Sequence, residues 1–345
     1  MELIFLGTSA GTPTIRRNVS GAAIRMQHAR RWYLVDCGEG TQHRILKTPL
    51  SLYTIDAIFI THVHGDHCFG LPGLLASASM SGRTEPLRIY APPAIEQFIK
   101  VATDVTQSWL SFEIEFVPVT QAQQAIDCGD FTVDISELSH RVPSFAYGFT
   151  EKPKQRRLNV KKLKADGVPA GPIWGAIHKG EDATLDDGRS LVSEDYLMPP
   201  PKLRKIIICG DNDRPECLAE TASTAEVVVH EATYTEDVSQ GLKFDPQHST
   251  AKAIAGFAEK AKVKNLVLTH FSSRYQQVGR GPRTMAEIEA EASAHYSGRL
   301  HLANDLDRFW LDPHGHLGRY IPAEHADQPD TSAAPEDAAN SSETN

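Results

Sequence analysis

The sequence predicts a layered α/β domain, and three observations carry that reading. Short apolar runs rich in β-branched residues recur, bounded by Gly, Asp or His. Stretches with helical apolar spacing lie between them. The 345 residues, 41% hydrophobic and 23% charged, suffice for one substantial core.

The strands are expected at Leu3 to Leu6, Trp32 to Val35, Ala57 to Ile60, Leu87 to Tyr90, Phe131 to Ile135, Lys205 to Ile208, Val227 to Val229 and Leu266 to Leu268. Helices are expected at Gly40 to Lys47, Leu71 to Ser79, Ala94 to Thr103, Ala251 to Lys260 and Arg283 to His295, the last with apolar positions Met285, Ile288 and Ala292. From about Thr150 to Pro201 the rhythm breaks. That segment is rich in Lys, Arg, Pro and Gly, and Gly167-Val168-Pro169-Ala170-Gly171-Pro172 cannot continue a helix or an inner strand. It reads as an insertion, residues 150–201, in a domain of residues 1–321. Residues 322–345 have almost no large apolar group and read as a disordered acidic tail.

The start of the chain lacks a charged segment followed by a long apolar one, and no stretch approaches the roughly 20 apolar residues of a membrane span. A soluble, cytoplasmic protein is expected. Cys37, Cys68, Cys128, Cys209 and Cys217 are odd in number and include no Cys-x-x-Cys pair, which argues against a disulfide framework and a thiolate metal site. The net charge of −9 argues at first against a polyanionic partner. Six of the acids lie in the tail, however, and without them the remainder carries −3. Lys152, Lys154, Arg156, Arg157, Lys161, Lys162 and Lys164 concentrate in the insertion, so a local basic patch coexists with an acidic whole.

The chemistry-bearing string is His62-Val63-His64-Gly65-Asp66-His67, delivered at the end of a predicted strand. His62 and His64, two apart, can point to one side of an extended backbone, and Gly65 allows a turn that carries Asp66 and His67 to a second point. Imidazole and carboxylate without thiolate suit zinc, and also manganese, iron or cobalt. Further ligand-type residues occupy equivalent places: Phe131 to Ile135 leads toward His140, Lys205 to Gly210 into Asp211, and Leu266 to Thr269 into His270. Such a centre supplies an activated water and neutralises charge on an attacked phosphate. Asp66 could orient that water or take its proton.

With these residues in place, the chain resembles the metallo-β-lactamase superfamily from Met1 to about Trp310. That resemblance implies an αββα four-layer sandwich of two mixed sheets flanked by helices. It also implies that His62, His64, His140 and Asp211 hold one metal and Asp66, His67, Asp211 and His270 a second, two zinc ions per subunit. More narrowly the sequence is similar to the tRNase Z family, short form, of the bacterial RNase BN type. The matches are Met1 to Gly11, Val35-Asp36-Cys37-Gly38-Glu39-Gly40-Thr41-Gln42, His230-Glu231-Ala232-Thr233, His248-Ser249-Thr250 and Leu268 to Tyr275.

That similarity implies removal of the 3′ trailer from precursor tRNA, with a 3′-hydroxyl left on the tRNA and room for accompanying 3′ exonuclease action. His248 becomes the general acid, because a histidine titrates near neutrality, and Glu231 its hydrogen-bond partner. The insertion becomes an arm gripping tRNA, with Gly171 and Pro172 in its turn and the seven basic residues on phosphates. Arg274, with Ser272 and Ser273, is expected near substrate phosphate. Pro13-Thr14-Ile15-Arg16-Arg17-Asn18 resembles the loop that senses the CCA end, which puts Arg17 and Asn18 among the substrate contacts. Ile15 stands where the family has Lys. A homodimer is implied as well. A hydrolase of small phosphodiesters or thioesters on the same fold is the alternative, but it needs neither His248, Glu231 nor a basic arm.

Overall fold

The computed structural model describes residues 1–120, 125–153, 155–276 and 283–320. The acidic tail and Lys154 lie outside the described residues. Within them, one eight-stranded sheet runs in the order Leu317–Arg319, Arg308–Leu311, Glu2–Gly7, Gly21–Arg25, Trp32–Val35, Ile55–Phe59, Leu87–Ala91 and Ile114–Pro118. Its last four strands pair in parallel. A seven-stranded sheet follows the order Arg299–Leu302, Asn265–Thr269, Val227–Glu231, Lys205–Cys209, Ser144–Glu151, Phe131–Leu138 and Ile126–Cys128. There the first four strands are parallel and the remainder antiparallel.

Period-two alternation divides each strand between two cores. Leu3 and Phe5 enter the core between the sheets, whereas Ile4 and Leu6 face the helices outside. Ile206 and Ile208 likewise turn inward, and Ile207 and Cys209 outward. Phe59 bridges the sheets, stacked on Tyr90 at 4.8 Å and lying 5.0 Å from Tyr147. Helices Leu71–Met80 and Ala94–Val105 cover the first sheet, and Ala251–Lys260 and Met285–His295 the second. The result is the αββα sandwich, whose inner strands are apolar on both faces because both are covered.

Helix Ala251–Lys260 starts where expected, with Thr250 Oγ1 accepting from Ala253 N–H. Met285–His295 begins with a capping box between Thr284 and Glu287, two residues later than expected. Among the strands that the sequence pattern did not predict, two bear on the fold's centre. Gly21–Arg25 opens with three small residues and owes its conformation to neighbours on both sides. Ser144–Glu151 contains Gly148, where a Cβ would lie 2.6 Å from Asp134 Oδ2, so the glycine serves a close approach within a central strand.

The segment read as an insertion has secondary structure and a core of its own. Helices Val160–Ala165 and Pro172–His178 flank the Gly-Pro turn, with Pro172 in the first turn of the second. Leu163, Val168, Ile177, Leu185, Leu191 and Tyr196 form a separate core. At its base Asn159 N–H donates to Tyr196 O and Met198 N–H to Arg157 O, both at 2.7 Å. Below this stalk Arg204 and Glu151 make a buried two-point ion pair, with bonds of 2.7 and 2.6 Å.

Candidate metal centre

Five strands of the two sheets end at one edge of the sandwich, and their following residues converge there. Ile55–Phe59 leads to His62, His64, Asp66 and His67; Phe131–Leu138 to His140; Lys205–Cys209 to Asp211; Asn265–Thr269 to His270; and Glu231 closes its own strand. His64 keeps an extended backbone and caps the short helix Gly65–Cys68, so His62 and His64 share one direction while Asp66 and His67 turn to another. Gly65 serves a close approach as well as the turn: a Cβ there would lie 2.1 Å from the Phe69 ring.

The donor atoms form two groups. His64 Nδ1 lies 3.1 Å from His62 Nε2 and 3.2 Å from His140 Nε2, and Asp211 Oδ2 is 3.5 and 3.8 Å from those two nitrogens. In the second group His67 Nε2 and His270 Nε2 are 3.2 Å apart, with Asp66 Oδ2 at 3.6 and 3.3 Å. Asp211 Oδ1 lies 3.3 and 3.4 Å from the same two nitrogens, so one carboxylate faces both groups. Ligands about 2.0–2.1 Å from a tetrahedral centre stand roughly 3.3–3.4 Å from one another, which these separations match.

The outer ring nitrogens explain the inward aim of the others. His140 Nδ1 donates to Gln247 O at 2.8 Å, and His67 Nδ1 to Asp36 Oδ2 at 2.7 Å. His62 Nδ1 meets Thr61 Oγ1 at 3.0 Å, and His270 Nδ1 meets Thr233 Oγ1 at 3.0 Å. Engaging one nitrogen presents the other to a cation. Asp36 is itself held by the N–H and hydroxyl of Thr61, at 2.8 and 2.9 Å. Asp36, Gln247 and His270 all adopt left-handed backbone, with φ of 60°, 56° and 56°. Such conformations in non-glycine residues gather where function constrains the chain.

Electrostatics divides the two groups. Burial keeps His62, His64 and His140 neutral by lowering their pKa values, which leaves lone pairs available. Burial opposes charge on His67 and His270 too, but carboxylates outweigh it and draw both toward protonation: Asp211, Asp36 and Asp66 for His67, and Asp211, Asp66 and Glu231 for His270, which is pushed up to about 10. Against the same burial penalty, Asp66 and Asp211 are held well below the carboxylate range by the surrounding histidines. A pocket so rich in ionised carboxylate demands positive charge, and this donor set fits divalent cations.

Beside it, His248 Nδ1 lies 2.9 Å from Glu231 Oε2 and 3.7 Å from Asp211 Oδ2. Burial opposes its protonation, yet Glu231 and Asp211 raise its pKa. Glu231 is wholly buried and ionised; its other oxygen accepts from Asn212 N–H at 2.7 Å, and Thr233 donates to Oε2. The neighbouring His230 is structural, its ring bonded to Glu231 O and the Asn212 amide.

A family model described as anti-Pycsar protein Apyc1 matches residues 1–151. A ribonuclease Z of Pseudomonas putida strain W619 is 50% identical over 320 residues, which is 92% of this chain and 99% of that protein. The chain belongs to the ribonuclease Z family. Among solved structures, human tRNase Z, short form, superposes with a TM-score of 0.63 at 28% identity, over 90% of this chain and all of that one. The metallo-β-lactamase fold protein YhfI of Bacillus subtilis has a TM-score of 0.61 at 18% identity, over 90% of this chain and 98% of that one, a likeness of fold.

Two expected substrate contacts of this ribonuclease Z family chain need correction. Arg17 is only 5% exposed, packs 4.9 Å over Phe271 and donates to Thr8 Oγ1, Ala303 O and Asn304 Oδ1. Asn18 is buried too, its N–H donating to Asp305. Both hold the loop in place, while Pro13, Ile15 and Arg16 face solvent. Arg274 is exposed, 5.8 Å from the Tyr234 ring, which in turn lies edge-on to His248. In the arm, Lys152 and Arg156 are drawn to Asp127 and Glu194, and Lys162 lies over Tyr196. Arg157, Lys161, Lys164, Gly171 and Pro172 face solvent. The five cysteines are free thiols, and no described helix is long and apolar enough to cross a membrane.

Proposed function

We propose that this chain is a metal-dependent endoribonuclease that removes the 3′ trailer of precursor tRNA and leaves a 3′-hydroxyl on the tRNA. The carrying observation is His248, charged by Glu231 and set beside two converging donor groups, in a chain 50% identical to ribonucleases Z. His62, His64, His140 and Asp211 would hold one divalent cation, and Asp66, His67, His270 and Asp211 a second, with zinc preferred over manganese, cobalt or iron. Such cations supply an activated water and charge neutralisation at phosphate.

The protein's own groups do the rest. Glu231 keeps the His248 imidazolium oriented and charged, so that its remaining nitrogen delivers a proton to the departing 3′ oxygen. Asp66 accepts from Gly11 N–H at 2.7 Å and stays ionised, which suits it to ligation and to orienting water better than to removing a proton. The arm, with Arg157, Lys161 and Lys164 outward, grips tRNA phosphates away from the cut, and Arg274 meets one near it. A cytoplasmic homodimer in which one subunit's arm serves the other's site completes the reading. Exposed Met80, Val101, Val105 and Trp109, on or just beyond helices Leu71–Met80 and Ala94–Val105, support such an interface.

The test is incubation of a 3′-extended precursor tRNA with purified protein and each candidate metal, with mapping of the product end. Cleavage at the trailer junction is expected, and His248→Ala should lower kcat by about 10²–10⁴-fold with metal content retained. Uncut precursor with every metal sinks the proposal.

A further inference from the structure

At the edge of the sandwich opposite the centre, exposed or half-buried cations have an acid beside them. Arg31 and Arg88 meet Asp56, and Lys152 meets Asp127. Arg141 and Arg214 differ: both face solvent and make no ion pair among the described residues. Both also belong to loops that carry donor atoms of the centre, directly after His140 and three residues after Asp211.

These loops are stitched into one rigid ledge. Asp213 N–H donates to Ser139 O at 2.9 Å, and Asn212 Oδ1 accepts from the N–H groups of Ser139 and Arg214 at 3.1 and 3.3 Å. Arg214 Nε donates to Ser139 Oγ at 3.1 Å, which leaves its two terminal nitrogens directed elsewhere. The ledge adjoins His248: His140 donates to the carbonyl of Gln247, and the His140 and His248 rings lie 5.2 Å apart. An unpaired guanidinium planted beside a nuclease centre is suited to a phosphodiester oxygen, because its fork matches two oxygens and its placement costs little further ordering.

We propose that Arg141 and Arg214 form a phosphate-binding ledge that holds the RNA backbone on the 5′ side of the cut. The side follows from His248. That residue meets the leaving 3′ oxygen, which belongs to the tRNA body, so the ledge next to it receives the body's last backbone phosphates and not those of the trailer. This assignment rests on the proposed function for the role of His248.

The test uses the metal-loaded, full-length protein with Arg141→Gln and Arg214→Gln, singly and together, and the two Lys replacements. Mature tRNA ending in a 3′-hydroxyl probes binding. Precursors with one-nucleotide and longer trailers probe cleavage, each across a salt series. The double Gln variant should weaken tRNA binding and raise KM by roughly 10-fold, and should lower the slope of log affinity against log salt by about 0.7 per arginine. The Lys pair should keep most of the slope, and both trailers should suffer alike. An unchanged salt slope overturns the ledge, as does a loss confined to long trailers. Equal loss on bis(p-nitrophenyl) phosphate, too small to reach the ledge, would mark a structural role instead. If the parent protein binds tRNA without cutting it, the functional reading fails, and the binding slopes still decide the ledge.

Discussion

In the centre, each inward-facing histidine of the second group is backed by a side chain that is itself held: His67 by Asp36, Asp36 by Thr61, and His270 by Thr233, which also bonds Glu231. In the arm, by contrast, six buried side chains make a small core, and cations such as Arg157, Lys161 and Lys164 stand in solvent. The first region is built for position, since displaced catalytic groups lose rate steeply. On the proposed function the second supplies charge, since phosphate attraction tolerates imprecise geometry. Arm and sandwich meet at the arm's base, through the Glu151–Arg204 pair and through Lys152, which reaches Asp127 and Asp130, so damage to one region should leave the other working.

The largest separation of the two should come from deleting residues 152–200. Glu151 N–H already donates to Arg204 O, so the cut ends lie close together. We expect kcat/KM for precursor tRNA to fall on the order of 10²-fold, while hydrolysis of bis(p-nitrophenyl) phosphate persists. Equal loss on both substrates, measured by steady-state kinetics, would break the comparison.

Replacing Asp36 with Ala should act on the opposite region. It frees the His67 ring, and metal affinity should drop roughly 10–100-fold in a chelator competition. tRNA binding through the arm should hardly change. A smaller effect is expected from Leu163→Ala, at the middle of the arm's core, where a truncated leucine costs about 2–5 kcal/mol. Because that core is separate, hydrogen exchange should quicken in the arm alone, with metal content unaltered.

The subtlest change is one of pH. His248 has a raised pKa, so its charged form, with the stability it contributes, is present at low pH and lost as pH rises through the raised value. Glu231→Gln removes the carboxylate that sustains it. The alkaline limb of the kcat profile should therefore move to lower pH, with the metal count unchanged; an unmoved limb would detach Glu231 from proton delivery.

Much of the centre was legible along the chain. Four donor residues fall within six positions of one strand end, and His140, Asp211 and His270 each follow an apolar run. Ligand chemistry combined with the strand pattern therefore locates them without a fold. Strands with β-branched runs, such as Trp32–Val35, and helices with a clear cap, such as Ala251–Lys260, were readable for the same reason: their signals are local.

What only the tertiary structure decided depends on partners distant in sequence. Asp36 is an ordinary turn residue until the fold sets it against His67, and Arg17 looks like a phosphate contact until Phe271 and Asn304 close over it. The arm's core is scattered over a segment whose Gly and Pro suggest a loop, and Gly21–Arg25 becomes a strand only between its neighbours. A sequence displays residue chemistry and local periodicity. Which buried polar group meets which, and which backbone is held in the left-handed region at Asp36, Gln247 and His270, follows from packing and from the need to satisfy every buried donor at once.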